Sequence, residues 1–330
     1  MTLTVIVITL KRPEELEQCL RCLARQEPVP NQVIVVDGSP DDLSRRVVEE
    51  SNEHRVLDVL YLRNDIGGFM TQSRNIALHH ATGDIIAFLD DDAFAHEDWS
   101  RELLETYGDD FSIAAVGGRA LNNIADEANI GLDKIGRFDR NGVLYGYFGA
   151  DPGKILEVDH LIGCNMSMRR ETLARLGGFR EAYPGSSLRE ETDPFLRIKR
   201  MKGRILYNPR VLVTHVGAPQ VVGRRFDLRY EYYSQRNHLV MLISNFGFSA
   251  PILRRYLFTE TRRFLRRFPE RLCRRERHPL VVLTSVGVYI AATFVGLASG
   301  IKLLRQSGVS PMRQDEEGKK IRVLLSQTLS

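Results

Sequence analysis

The chain has 330 residues, of which 43% are hydrophobic and 27% are charged, a composition within the range of folded globular proteins. This excludes a chain that is disordered over most of its length, and it leaves room for one large domain with an appendage or for two domains. The formal net charge is +4, but residues 254–278 hold ten arginines against three glutamates and carry +7 by themselves. The remainder sums to −3, which excludes a general nucleic-acid-binding surface.

Four cysteines are too few to form a disulfide scaffold. Cys19 and Cys22 lie within a helical pattern, and no second pair follows at zinc-ligand spacing, so we expect them on a buried helix face. The first residues, MTLTVIVI, lack the basic region and the cleavage site of a signal peptide and predict a first strand instead. These features favour a reducing environment and a cytoplasmic location for the body of the protein.

Predicted strands and helices alternate through the first third of the chain. Strands are predicted at residues 2–8, 33–36, 57–62 and 85–89, and helices at 41–53, at 68–80 and from Pro13. Strands this apolar are typical of a parallel sheet whose two faces are covered by crossover helices. The pattern is looser over 119–159, and beyond it we predict strands at 161–168 and 206–215 and helices at 171–176 and 190–201. The sequence therefore predicts an α/β fold with a doubly wound, mostly parallel sheet.

Ligands of such sheets bind beyond the carboxyl ends of the strands, and here carboxylates occupy those positions. Asp90, Asp91 and Asp92 directly follow the predicted strand at 85–89. Three adjacent carboxylates repel one another unless a cation or solvent compensates, and Mg²⁺ and Mn²⁺ prefer oxygen ligands. A solvated turn that caps the next helix is the alternative interpretation. The sequence contains neither a GxGxxG nor a P-loop motif, which excludes the common nucleotide-binding fingerprints.

Two further strand ends offer groups for a nucleotide. Asp37 follows the strand at 33–36, where a carboxylate can accept the imide N–H of uracil or thymine or a ribose hydroxyl; a routine Asp-Gly-Ser turn is the alternative. Gly67 and Gly68 precede a predicted helix, so the backbone can approach a phosphate there, and Arg74 follows one and a half turns later. A helix start with a surface arginine explains the same residues.

The second half of the chain contributes acidic residues and a histidine. Glu190, Glu191 and Asp193 lie at the start of the predicted helix at 190–201, where they suit either the helix dipole or acid–base catalysis. His215 ends the predicted strand at 206–215, a position open to a ligand, although a lone histidine is more often structural.

In this order the motifs resemble those of family 2 glycosyltransferases, over about residues 2–245. The resemblance implies a GT-A fold and an inverting, metal-dependent enzyme. It implies that Asp37 binds the nucleobase beside Thr9 and Arg12, and that Asp92 holds Mg²⁺ or Mn²⁺ with help from His215. The residues expected to bind the nucleotide are Thr9, Arg12, Asp37, Gly67, Gly68, Arg74, Asp90 and Asp91.

The family also carries an acidic Glu-Asp pair whose second member is the catalytic base. Glu190 and Glu191 occupy these positions, so this chain has glutamate where the family has aspartate. The extra methylene moves the carboxylate by about 1 Å and leaves the choice between the two open. We expect Glu191 to be the general base, with Glu190 as the second choice and Asp193 as a supporting residue.

The expected donor is a nucleotide-diphospho-sugar, with UDP- or dTDP-sugars favoured. The expected acceptor is a saccharide hydroxyl, in particular that of a lipid-linked saccharide in cell-surface polysaccharide synthesis. A polyprenyl-phosphate sugar synthase shares the fold and differs in its acceptor. A non-catalytic membrane scaffold that retains the fold is the alternative from another functional class, although three intact acidic strand ends argue against it.

The C-terminal part has the features of a membrane anchor. Residues 280–301 contain no charge and span ~33 Å as a helix, about one hydrocarbon core. The arginine-rich segment before this run places Leu257, Phe264, Leu265, Phe268 and Leu272 on one helical face, and Pro269 is expected to break or restart that helix. Such a segment suits an anionic membrane surface and predicts that the catalytic domain faces the cytoplasm. A buried helix that packs on the catalytic domain is one alternative, and a helix that lies in the membrane interface without crossing it is the other.

Within the apolar run, Gly296 and Gly300 form a GxxxG pattern that favours a homodimer. The predicted boundaries are 1–118 for the nucleotide-sugar half, 119–245 for the acceptor half, 246–278 for the basic amphipathic segment, 279–302 for the membrane helix and 303–330 for a polar tail.

Overall fold

A computed structural model describes residues 1–53, 56–66, 70–185, 187–217, 227–273 and 279–306, with the backbone alone at 267–273 and 279–283. A central sheet with helices on both faces fills most of these ranges, and three helices follow it. The strands are β1 (Leu3–Thr9), β2 (Gln32–Asp37), β3 (Val59–Arg63), β4 (Ile85–Asp90), β5 (Ala93–Ala95), β6 (Ile113–Leu121), β7 (Arg137–Phe138), β8 (Leu144–Tyr145), β9 (Leu156–Glu157), β10 (Asn165–Arg169) and β11 (Arg204–His215). The α-helices are α1 (Pro13–Ala24), α2 (Leu43–Glu53), α3 (Met70–Leu78), α4 (Trp99–Tyr107), α5 (Arg170–Leu176), α6 (Thr192–Arg200), α7 (Leu228–Phe246), α8 (Pro251–Cys273) and α9 (Pro279–Gln306).

The sheet order is β3-β2-β1-β4-β10-β6-β11-β5, and β9 pairs with β11 beside this path. Strands β3, β2, β1 and β4 pair in parallel, as do β6 and β11. Strand β10 is antiparallel to both β4 and β6, so these two groups share one direction. The predicted α/β fold with a mostly parallel sheet is confirmed.

Both faces of the sheet are buried, which explains the uninterrupted apolar runs. Consecutive residues of a strand point to opposite faces. In β1, Val5 and Val7 join the cluster on one face, where Trp99 of α4 also packs, and Ile6 joins the cluster on the other. Cys19 of α1 belongs to the first cluster, so its prediction as part of a buried helix face is confirmed.

Strand β6 was not predicted, because its sequence IAAVGGRAL is poor in the branched residues that favour strands. The small residues have a packing reason. A Cβ on Gly118 would lie 1.8 Å from the backbone oxygen of Val211, so only glycine lets β11 approach this closely. The glycines of β6 therefore reflect its close contact with the backbone of β11, and residue preferences alone do not predict this strand.

Helix α7 was also not predicted, and it is the centre of a third buried cluster. Its residues 239–243 are buried and pack with Leu253 and Tyr256 of α8. On α9, Gly296 and Gly300 lie against this helix: a Cβ on Gly300 would lie 2.8 Å from the Ile243 Cβ. The GxxxG pattern therefore serves a contact within the chain, and the glycine face on which the homodimer prediction rested is occupied by α7.

Helix α8 continues through position 269 to Cys273, so the prediction of a break at Pro269 is wrong. The side chains predicted to share one apolar face of α8 also differ in their surroundings. Phe264 stacks on Tyr289 of α9 with ring centroids 4.5 Å apart, whereas Leu265 is 62% exposed. Phe268 and Leu272 lie outside the described side chains.

Residues Thr284–Gln306 of α9 are long and apolar enough to cross a membrane, with a mean hydropathy of 1.6 and 17% of the span buried. Exposed apolar side chains continue along its outer face, with Phe294 at 70%. A soluble core helix of this length would be mostly buried, so the exposure favours membrane association.

Candidate active site

Three polar residues, Thr9, Asp37 and Asp90, lie at neighbouring positions on the carboxyl edge of the sheet. In the strand register, Thr9 lies beside Asp37, and Asp90 lies beside Ile8. The topology thus brings the strand ends of β1, β2 and β4 together, as their sequence positions predicted.

A short strand joins the histidine to the acidic turn. Strand β5 directly follows Asp92 and runs antiparallel to the end of β11, which sets Ala93 opposite His215. The backbone N–H of Val216 donates to the carbonyl of Asp92 at 3.0 Å. As a result, His215 Nε2 lies 3.4 Å from Asp92 Oδ1.

Asn122 orients this histidine, and sequence reasoning missed it because Asn122 lies in the loosely patterned segment. Its Oδ1 is 3.0 Å from His215 Nδ1. Since an amide oxygen accepts, Nδ1 is the donor in this contact, and Nε2 is the ring nitrogen that faces Asp92. Such an outer partner is the usual way in which a metal-binding imidazole is held.

Asp90 and His215 are also close to Cys164, a residue that sequence analysis did not select. One ligand atom from each of the three lies within 4.8 Å of the others. Asp90 Oδ1 is buried and has no hydrogen-bond partner in the described residues; Arg74 Nη2 is 3.8 Å away. Burial raises the pKa of the Cys164 thiol well above its usual range. With the thiol protonated, the groups that could hold a cation are the carboxylates of Asp90 and Asp92 and the imidazole of His215, a donor set that suits Mg²⁺ or Mn²⁺.

The middle carboxylate of the turn is engaged within the protein. Asp91 is 3% exposed, and it accepts from Thr9 Oγ1 at 2.9 Å and from Arg12 Nη1 at 3.0 Å. Burial raises its pKa to about 7 against the opposing charge of Arg12. In the structure, Thr9 and Arg12, which were predicted to lie beside the nucleobase, hold the acidic turn through Asp91.

Asp37 is fully buried at the end of β2. Its Oδ1 accepts the backbone N–H of Ser39 at 2.8 Å, and its Oδ2 accepts the hydroxyl of Tyr61 at 2.9 Å. Each carboxylate oxygen has two lone pairs, so acceptor capacity for a base or ribose remains. Tyr61 is a third residue that sequence analysis missed, since its side chain reaches Asp37 across neighbouring strands.

Arg74 was predicted to reach a phosphate, and in the structure it is paired within the protein. Its side chain is 1% exposed, lies over the rings of Phe88 and Phe179, and contacts the buried carboxylate of Glu190. Together with its approach to Asp90, this makes Arg74 the link between the acidic turn and the Glu190 loop. Gly67 and Gly68 lie outside the described residues.

The two adjacent glutamates differ in their surroundings. Burial raises the pKa of Glu190, which is 3% exposed and ion-paired with Arg74. Glu191 is partly exposed, and a Cβ on Gly163, the residue before Cys164, would lie 3.5 Å from its Cβ. Burial also raises the pKa of Glu191, opposed chiefly by the charge of Arg189. Of the pair, Glu191 is therefore the more exposed carboxylate, and Glu190 is the one paired with Arg74.

Asp193 is enclosed and faces away from this edge. It accepts from Arg180 at 2.6 Å, Tyr183 at 3.0 Å and Asn245 at 2.7 Å, and it also lies 3.5 Å from Arg197. Burial opposes its ionisation, but the two guanidiniums and the hydrogen bonds outweigh it and lower the pKa of Asp193. Its role is to tie α6 to α7.

The chain is similar in sequence to known proteins. The chain is 28% identical over 229 residues to the glucosyl-dolichyl phosphate glucuronosyltransferase of Haloferax volcanii, which covers 65% of this chain and 69% of that protein. It is 30% identical over 218 residues to the succinoglycan biosynthesis protein ExoM of Rhizobium meliloti, covering 65% and 66%.

Solved structures show the same fold. The mannosyltransferase PcManGT from Pyrobaculum calidifontis, in complex with GDP-Man and Mn²⁺, matches 99% of this chain and 85% of its own with a TM-score of 0.55 and 20% identity. GalNAc-T7 with UDP, GalNAc and Mn²⁺ matches 80% and 54% with a TM-score of 0.57 and 15% identity. Residues 4–177 match the family model described as glycosyl transferase family 2. With its fold, its acidic strand ends and this match in agreement, the chain belongs to glycosyl transferase family 2 and has the GT-A glycosyltransferase fold.

Proposed function

We propose that this protein is an inverting glycosyltransferase that moves a sugar from a nucleotide-diphospho-sugar to a hydroxyl of a lipid-linked saccharide. The observation that carries the proposal is the meeting of Asp90, Asp92 and His215 at one sheet edge, with the partly exposed Glu191 beside them. This arrangement would place a cation beside the diphosphate of the donor and a base beside the hydroxyl of the acceptor.

On the donor side, Asp37 binds the nucleobase, with uracil or thymine favoured because a carboxylate accepts their imide N–H. Asp90 holds the ribose, and Asp92 and His215 hold Mg²⁺ or Mn²⁺. When bound, the cation supplies Lewis-acid stabilisation of the departing diphosphate. Arg12 and Arg74 keep the acidic turn in place through Asp91 and Asp90, since neither guanidinium is free to leave its buried partner.

On the acceptor side, Glu191 removes the proton of the attacking hydroxyl. Its raised pKa places it closer to neutrality than an ordinary glutamate, which improves a general base. One base and one in-line displacement invert the anomeric configuration. Asp193, predicted as a supporting residue, contributes by holding the helix that follows Glu191.

The lipid-linked acceptor is favoured by two independent observations. The name of the Haloferax relative states a sugar on dolichyl phosphate, and that of the Rhizobium relative states polysaccharide biosynthesis. In this chain, α9 has the length of a membrane span, and α8 presents Phe258 and Leu265 among exposed arginines. The arginine excess beside the span favours a catalytic domain on the cytoplasmic face.

The donor site is tested by replacing Asp92 with asparagine. We expect calorimetric titration of the full-length protein with UDP in the presence of Mn²⁺ to show binding, and the Asp92→Asn variant to lose it, because the neutral amide is a weaker ligand for a hard cation. Glu157→Gln, at a partly exposed ion pair with Arg204, is the control and should bind as the parent does. An Asp92→Asn variant that binds UDP and Mn²⁺ as tightly as the parent would refute the assignment.

Membrane association is tested on the outer face of α9. We expect Phe294→Asp to lower the membrane partition coefficient of the full-length protein about a hundredfold, because an aspartate near the centre of a span costs about 2.5–3.5 kcal/mol. Phe294→Leu should remain in the membrane. The measurement is the partition between pellet and supernatant after a high-salt wash. A parent chain that is soluble without detergent contradicts the membrane assignment.

A further inference from the structure

A second cavity, separate from the acidic strand ends, lies among the C-terminal helices. Its volume is about 410 Å³, and α7, α8, α9 and the start of β8 enclose it. This is the size of cavities that hold small ligands. The wall combines aromatic rings with hydroxyl, amide and carboxylate groups, among them Ser234, Gln235 and Glu231.

Two stacked ring pairs contribute to the wall. His238 and Tyr256 stack with centroids 4.2 Å apart and planes at 11°, and Phe264 and Tyr289 stack at 4.5 Å and 16°. The Tyr256 hydroxyl donates to Gln235 Oε1 at 2.9 Å, which fixes the ring. Flat apolar faces beside fixed polar groups match the chemistry of a pyranose, which has C–H faces and a rim of hydroxyls.

Arg189 connects this cavity to the proposed base. It lines the cavity, and its Nε donates to His238 Nδ1 at 3.0 Å. It is two residues from Glu191, and its backbone is in the left-handed region, at φ +78°. A non-glycine residue in that region is held there by its surroundings, here by the contact with His238. The cavity therefore adjoins the loop that carries Glu191.

We propose that this cavity is the acceptor subsite and binds the terminal sugar ring of a lipid-linked saccharide. This inference rests on the proposed function and names the site at which its acceptor binds. The ring packs against Tyr256 and Tyr289, and its attacking hydroxyl passes Arg189 toward Glu191. That oxygen forms the new bond to the anomeric carbon of the donor, its proton moves to Glu191, and the diphosphate leaves with the electrons of the broken C–O bond.

The location among the C-terminal helices explains why the acceptor carries a lipid. The same α8 and α9 that enclose the cavity expose Phe258 and Phe294 on their outer sides. A saccharide whose lipid lies in the bilayer would thus reach a site built from the helices that meet the membrane.

The test uses octyl β-glycosides of glucose, galactose and N-acetylglucosamine, below their micelle concentrations, with the full-length protein in lipid nanodiscs. Saturation-transfer NMR should show transfer to the sugar-ring protons of at least one glycoside. We expect Ser234→Trp, which fills the cavity, to reduce that transfer at least about fivefold. The matched control is Ser51→Trp on α2, at the β3 end of the sheet, which should leave the transfer unchanged.

A second pair of variants separates binding from folding. Tyr289→Phe retains the ring and should retain the signal, whereas Tyr289→Leu should lose most of it. Tetraethylene glycol mono-octyl ether, which has the tail without the sugar, should not compete. Calorimetry with UDP and with dTDP, each with Mn²⁺, is run on every variant. If the parent binds UDP or dTDP but no glycoside gives a signal that Ser234→Trp removes, the acceptor subsite is refuted and the donor assignment stands. A parent that binds neither UDP nor dTDP refutes the proposed function itself.

Discussion

Replacing Glu191 with glutamine should lower kcat about 100-fold or more and leave the affinity for UDP and Mn²⁺ unchanged. The amide keeps the shape of the side chain but cannot accept the proton of the acceptor hydroxyl, and general-base catalysis contributes about 10²–10⁴-fold. Because Glu191 is partly exposed and does not share the ion pair of Arg74, the fold should be unaffected. The measurement is steady-state release of nucleoside diphosphate, with calorimetry for nucleotide affinity.

The neighbouring variant supplies the contrast. Glu190→Gln leaves the Arg74 charge buried without its carboxylate partner, so we expect loss of stability and of expression rather than a folded enzyme that only turns over slowly. In the parent, kcat should fall as the pH drops through the raised pKa of Glu191, which lies above the ordinary glutamate value of about 4.3. Glu191→Gln that retains more than about a tenth of kcat would exclude Glu191 as the base.

Asp193→Asn should reduce the free energy of unfolding by about 3–5 kcal/mol, because it leaves Arg180 and Arg197 beside a neutral group in a buried cluster. Urea denaturation measures the change. Glu157→Gln, which removes a partly exposed pair with Arg204, is the control and should cost less than about 1 kcal/mol.

The pH dependence gives Asp193 a second signature. Its pKa is lower in the folded protein than the unfolded value of about 3.9, so its contribution to stability is complete above that value. The contribution is lost as the pH falls through the lower, folded pKa. If Asp193→Asn unfolds at the same urea concentration as the parent at neutral pH, the cluster is not a stabilising one.

The sheet and its acidic edge could be predicted because their cause is local. Strands buried on both faces must be apolar throughout, and the residues that follow them necessarily lie at one edge. Asp37, Asp90 and His215 were found in this way. The position of His215 beside Asp92 could not be derived, because it depends on the three-residue strand β5, which is too short to leave a pattern.

The ion-pair partners of the buried charged residues could not be predicted from the sequence. The sequence position of Arg74 is typical of an arginine on a helix surface. Its partner Glu190 is 116 residues away, and both side chains are buried. In the sequence, Asp193 is not distinguishable from its acidic neighbours Glu190 and Glu191. Its contacts with α7 in the folded protein are what identify it as a stabilising carboxylate. Pairing over such separations is set by the tertiary fold, so spacing along the chain does not reveal it.

The contact between α7 and α9 has a mechanical consequence. Gly296 and Gly300 bring the two backbones close, and α7 is tied to α6 through Asn245 and Asp193. In the proposed membrane-bound enzyme, α9 would therefore be packed against the catalytic domain and would not act as a flexible linker. This helix contact would fix the height and tilt of the cleft over the bilayer. The fold would then set the distance between the lipid headgroups and the site at which an acceptor sugar is glycosylated. Acceptors whose terminal sugar lies nearer to or farther from their lipid would be discriminated by that distance alone.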